Sequence, residues 1–159
     1  MKKDKDSEFM KIAIKEAKKN LKKPAGGPFG ACIVKNNKVL ARTRNTVFES
    51  DATCHAEINA IRKASRKLKS FDLSKCTIYS TAEPCPMCFS AIHWARIKRV
   101  VFGAGISDAK KTGFRELDIS NKKIKAIAGL KIRIDSGIMK EQCRGLLEAY
   151  KTKGKKFIY

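Results

Sequence analysis

Residues 76–104 read CTIYSTAEPCPMCFSAIHWARIKRVVFGA. The opening CTIYST has the β-branched and aromatic content of a short strand. Met87 to Arg96 reads as helix, and RVVFGA as a second strand running into a glycine-containing loop. Strand, helix and strand in succession are the working unit of an α/β fold.

The flanking sequence extends that pattern. Phe9, Ile12, Ala13, Ala17 and Leu21 recur at helical spacing, which predicts an amphipathic helix over residues 7–22. Pro24, Gly26, Gly27 and Pro28 end it. ACIV and KVLA flank Asn36-Asn37 and predict a hairpin. Ala56 to Leu68 reads as helix, with Ile58, Ile61 and Leu68 apolar. LKIRID predicts another strand, and Met139 to Lys151 a last helix. The order is helix, hairpin, helix, strand, helix, strand, strand, helix. It predicts the α/β class, a mixed central sheet sandwiched by helices. With no repeat, linker or composition break, residues 1–159 read as one domain; residues 152–159 form a basic C-terminal tail that looks appended.

The chain has 159 residues, enough for a proper core, and 43% are hydrophobic, which excludes a disordered chain. No apolar run approaches a membrane span. The beginning, MKKDKDSEF, has charges without an apolar stretch after them, so no secretory signal is expected and the expected compartment is the cytoplasm. Thiols stay reduced there, so the six cysteines are read as metal ligands or buried thiols. Lys and Arg number 36 against 15 acidic residues, a net charge of +21. Such a field attracts polyanions, and a nucleic-acid partner stands beside a plainly solvated lysine surface as its explanation.

Chemistry concentrates in two short runs, His55-Ala56-Glu57 and Pro84-Cys85-Pro86-Met87-Cys88. Two cysteines separated by two residues can grip one ion, because one helical turn brings both sulfurs to the same side. Pro86 suits a first helical turn, and a helix N-terminus lowers thiol pKa. His55 likewise opens the helix Ala56–Leu68. His55, Cys85 and Cys88 are therefore the candidate zinc ligands. Three ligands leave a fourth tetrahedral position for water, as catalytic zinc sites do. Glu57 is the candidate catalytic residue: beside the metal it can take a proton from water and deliver it to a reacting group. Two other readings stay open: a closed structural zinc site completed by Cys54, and a basic zinc protein that only binds nucleic acid. Cys32, Cys76 and Cys143 read as small buried hydrophobes, and His93 as a packed or surface side chain.

The H-x-E and P-C-x-x-C runs, with much of Gly26 to Asp118, resemble the cytidine deaminase superfamily of zinc enzymes. Within it GGPFGA (Gly26–Ala31), AIHWAR (Ala91–Arg96), SDAKKTGFRE (Ser107–Glu116) and the terminal Tyr159 resemble bacterial guanine deaminases; tRNA adenosine deaminases come next. The resemblance implies a three-layer α/β/α sandwich, a Zn2+ cofactor and a homodimer whose C-terminal segments are exchanged to cover the partner's active site. It also implies a base pocket. Phe29 would pack against the base, Asn45 would hydrogen-bond it, and the Ala56 N–H would face the reacting oxygen. Trp94 would form a wall, Glu116 would accept from the guanine 2-amino and ring N–H groups, and Tyr159 would cover the base. Glu116 stands where the bacterial enzymes carry an Asp. LKIRIDSGIMKEQCRGLLEAY resembles the final strand and helix of the tRNA enzymes instead. The expected reaction is hydrolytic deamination of guanine to xanthine and ammonia by zinc-activated water, with Glu57 as proton shuttle. The alternatives are adenine-to-inosine deamination in tRNA, or deamination of cytosine or other aminated bases and nucleosides.

Overall fold

A computed structural model describes residues 2–153. The first helix, α1 (Lys2–Lys22), buries Phe9, Met10, Ala13, Ile14 and Ala17 along one face. It starts earlier than the apolar spacing predicts, because the added first turns are charged and carry no core signal. A tight hairpin follows: β1 (Gly30–Lys35) and β2 (Lys38–Arg44) pair antiparallel, with a register irregularity at Ile33/Val34. Asn36 and Asn37 both take positive φ, 50° and 59°, the left-handed pair that a two-residue hairpin turn demands and asparagine tolerates.

Next come α2 (Ala56–Leu68), β3 (Cys76–Ala82), α3 (Pro86–Trp94) and β4 (Arg99–Ala104). Beyond β4 lie α4 (Ile106–Lys111), α5 (Asn121–Ile127), β5 (Arg133–Ser136) and α6 (Lys140–Lys151). The two short helices α4 and α5 add to the predicted order, and the predicted LKIRID strand shrinks to its last residues. The five strands run β2-β1-β3-β4-β5. β3 is antiparallel to β1 and parallel to β4, and β5 is parallel to β4, so the sheet is mixed as expected.

Helices α1 and α6 pack together on the sheet, and α2 and α3 form a second packed pair. The result is the α/β/α sandwich. At Gly30 the contact between α1 and β1 is backbone to backbone: a Cβ there would strike the Ala13 carbonyl and the Ala17 amide. The N-terminal end of the chain is tied down by charge. Asp6 accepts two hydrogen bonds from the Arg99 guanidinium, at 2.9 and 2.7 Å, and one from the Tyr79 hydroxyl at 2.8 Å. No helix among the described residues is long and apolar enough to cross a membrane.

This topology places a site by itself. β3 and β4 are parallel and end side by side, with the Glu83 N–H donating to Ala104 O at 2.7 Å. Ligands of open α/β sheets bind outside such carboxyl ends, where helix N-termini converge. Here α2 and α3, packed on each other, bring theirs.

Candidate active site

His55 and Cys85 occupy equivalent positions. Each is the extended N-cap residue of a helix, α2 and α3 respectively, and neither caps it with its side chain. Pro86 opens α3, as the sequence predicts, and needs no hydrogen-bond acceptor there. Cys88 lies fully buried in the first turn of α3. The three side chains meet: His55 Nδ1 is 3.6 Å from Cys85 Sγ and 3.5 Å from Cys88 Sγ. All three donor atoms fall within 4.8 Å of one another.

Those separations fit zinc. Bonds of about 2.3 Å to sulfur and about 2.05 Å to nitrogen, opened to a tetrahedral angle, put the two donors about 3.6 Å apart. The protonation chemistry fits as well. A hydrogen bond from Cys88 holds the Cys85 thiol down at about 4 against the cost of burial, with His55 helping. Cys88 is pushed up, first by that same bond and then by its burial. A cation binds both sulfurs as thiolates and displaces the proton they share. Cys54 does not join them. Its sulfur lies 3.3 Å from Arg62 Nη1 and 3.6 Å from Asp51 Oδ2, outside the cluster. Among the described His, Cys, Asp and Glu side chains, no fourth joins the group. His93 is exposed beside the Trp94 ring, away from the three donors.

Glu57 sits in the first turn of α2, only 5% exposed. Its Oε1 accepts from Ser80 Oγ at 2.8 Å, and Oε2 lies 3.6 Å from Cys88 Sγ. Burial raises its pKa, and the neighbouring Cys85 adds to that, while His55 and the Ser80 hydrogen bond pull the other way. A carboxyl group balanced in this way can both accept and return a proton.

A small pocket opens over this cluster, lined by Phe29, Asn45, His55, Glu57, Ala82, Glu83, Cys85 and Glu116. Phe29 is buried and meets the Phe114 ring edge-on, centroids 4.9 Å apart. Asn45 is buried; its Oδ1 accepts from Val47 N at 3.1 Å, an Asx-type turn, so the side chain shapes its loop while lining the pocket. Asn20 on α1 holds this corner, donating to Gly27 O at 2.7 Å and to Asn45 O at 2.9 Å. Ala56 is fully buried at the start of α2, where its backbone N–H belongs to the first turn beside His55.

Glu116 reaches the pocket from the irregular segment between α4 and α5. Burial, then the Cys85 and Glu57 charges, push its carboxyl group up to about 7. It makes no ion pair among the described residues, while its neighbour Asp118 pairs in solvent with Lys110 at 2.7 Å.

Trp94 is not brought to this pocket. It ends α3 with 75% of its surface exposed, because the helix turns it outward beyond the buried Ile92. Tyr159 and the rest of the tail from 154 onward lie outside the described residues. Ser80, Glu83 and Asn20 enter the site without having been read as functional. Ser80 is one of three Ser/Thr residues in β3, with Thr77 and Thr81, and has no sequence signal of its own; an acidic residue just before Pro84-Cys85 was the signal for Glu83.

Residues 3–104 match the cytidine and deoxycytidylate deaminase zinc-binding region. The guanine deaminase of Bacillus subtilis (strain 168) is 46% identical over 107 residues, 67% of this chain and 69% of that protein. A tRNA-specific adenosine deaminase of Buchnera aphidicola subsp. Schizaphis graminum is 38% identical across 99% of this chain and 100% of its own. Among solved structures, a guanine deaminase from Nitrosomonas europaea superposes with a TM-score of 0.83 at 27% identity, covering 92% of this chain and 84% of that one.

Proposed function

The chain belongs to the cytidine and deoxycytidylate deaminase family, a zinc-binding family, and from that premise we propose that it deaminates guanine to xanthine. The observation that carries this reading is Glu116. A carboxyl group poised at about 7 lines the pocket that also contains His55, Cys85 and Glu57. A carboxylate accepts two N–H donors at once, which suits the 2-amino and ring N–H edge of guanine. Phe29 offers the base an apolar wall and Asn45 a polar corner.

His55, Cys85 and Cys88 hold the metal in this reading, and zinc supplies there the Lewis acidity that makes water nucleophilic at neutral pH. The rest falls to the chain. Glu57, held by Ser80, takes a proton from the attacking water and passes it to the ring nitrogen. Water oxygen adds to the carbon bearing the exocyclic amine. Glu57 then takes the second proton from the added hydroxyl group and delivers it to the exocyclic nitrogen; the C–N bond breaks, and ammonia departs as the carbonyl forms. The helix N-terminus at Ala56 directs its N–H toward developing negative charge on oxygen. A homodimer in which Tyr159 closes the partner's pocket completes the proposal.

A second reading has its own support. The tRNA-specific relative matches end to end, and a net charge of +21 suits an RNA substrate. Incubation of the pure zinc protein with guanine, guanosine, adenine, cytosine and tRNA, with ammonia and inosine measured, separates the two. Ammonia from guanine alone supports the first reading. Inosine in tRNA with guanine untouched overturns it.

A further inference from the structure

The stretch 112–120, which carries Phe114 and Glu116, is slung between α4 and α5. Both of its flanking helices are held by one side chain. Glu83 Oε2 accepts from the N–H of Ile106, the first residue of α4, at 3.3 Å. Glu83 Oε1 accepts from the N–H of Asn121, the first residue of α5, at 2.8 Å. These are amides that a helix start leaves without an intrahelical partner. Glu83 is itself fixed, since its own N–H continues the β3–β4 ladder to Ala104 O.

A second tie runs the same way. Asn121 Nδ2 donates to Pro84 O at 2.6 Å, and Pro84 is the residue before Cys85. Asn121 is fully buried, and its Oδ1 is the one buried side-chain polar atom without a hydrogen-bond partner among the described residues. Leaving a buried acceptor unmatched is costly, so the residue is explained by what its donor does. That donor joins α5 to the metal-binding turn.

The stretch needs such anchors. Upstream of Glu116, Phe114 packs between Phe29 and Tyr150. Downstream, Leu117, Asp118 and Ser120 are exposed, and the solvent ion pair of Asp118 contributes little. Ile119 is only half-buried, so the first fully buried residue after Glu116 on that side is Asn121. We propose that Glu83 and Asn121 are positioning residues: together they fix the Glu116 carboxylate relative to the Pro84–Cys88 turn, so that base recognition and the reacting end keep one spacing. The link to base recognition rests on the guanine reading; the clamp does not.

The test uses the zinc-loaded full chain as wild type, Glu83→Gln, Glu116→Gln and the double variant. Glutamine keeps one acceptor and sets an N–H2 group against the other helix amide. The amides of Ile106 and of residues 113–121 then exchange with deuterium about tenfold faster in Glu83→Gln, with β3 and β4 unchanged and zinc retained. KM for guanine rises about tenfold while kcat changes less than about threefold. KM of the double variant equals that of Glu116→Gln alone, because one residue acts through the other. Unchanged exchange overturns the clamp, and additive KM losses overturn its action through Glu116. If Glu116→Gln alone leaves KM unmoved, the guanine reading has failed, and the exchange pattern still decides the clamp. Asn121→Ala, which cuts only the Pro84 tie, serves should Glu83→Gln not fold. It speeds exchange in the same stretch, and slow exchange there counts against the proposal.

Discussion

The Ser80 hydroxyl donates to the Glu57 carboxylate at 2.8 Å, joining the middle of β3 to the first turn of α2 beneath the His-Cys-Cys cluster. Both residues are buried. A carboxyl group that must trade protons gains from being held in one orientation, and this bond leaves its second oxygen facing the cluster. Ser80→Ala should therefore lower kcat about three- to tenfold with zinc content unchanged. The same bond works to lower the Glu57 pKa, so the acid limb of the kcat profile should move to higher pH. A variant with wild-type kcat and profile would remove Ser80 from the site.

Cys85→Ala and Cys88→Ala should each abolish turnover and lose zinc on dialysis, since two donors hold the ion far more weakly than three. Elemental analysis checks this. Full occupancy in both variants would refute the ligand set.

The pocket was only half legible. The Pro-Cys-x-x-Cys and His-x-Glu runs announce themselves because metal chemistry restricts residue type and spacing together. The Asn36-Asn37 turn is equally open to reading, because few residues accept two positive φ angles in succession. Helices α4 and α5 are hidden for the opposite reason. Each is two turns or less, rich in lysine, and has no apolar period to detect. Glu83 and Asn20 look like ordinary polar residues until the fold surrounds them with backbone donors and acceptors. Glu116 needed family resemblance, since nothing nearby in sequence ties it to His55. Resemblance also nominated Trp94, which ends on the surface of this chain.

Glu116 should give guanine recognition a pH dependence. Burial holds its carboxyl group at about 7, above the usual carboxylate value. The accepting, ionised form thus grows as pH rises, and 1/KM for guanine should increase between about pH 6 and about pH 8. The linkage for stability has the opposite sense. A folded pKa raised above the unfolded one means that stability falls as pH rises from about 4.5 to about 7 and levels off above that. Glu116→Gln should flatten the KM profile and raise KM throughout. A sloping profile in the variant would assign the titration elsewhere.

The fold has a tight point at Gly30, where α1 lies directly against β1. Gly30→Ala should destabilise the domain by about 1–3 kcal/mol, because the new methyl group meets backbone rather than a side chain that can turn away. Chemical denaturation measures this, and an unchanged midpoint would contradict the packing.

The most direct measurement concerns Glu57. Glu57→Gln keeps the shape and the Ser80 contact but cannot carry a proton. Purified with zinc, it should hold one ion per chain while ammonia release from guanine falls at least about 100-fold. Ammonia release at the wild-type rate from a fully loaded variant would contradict the account.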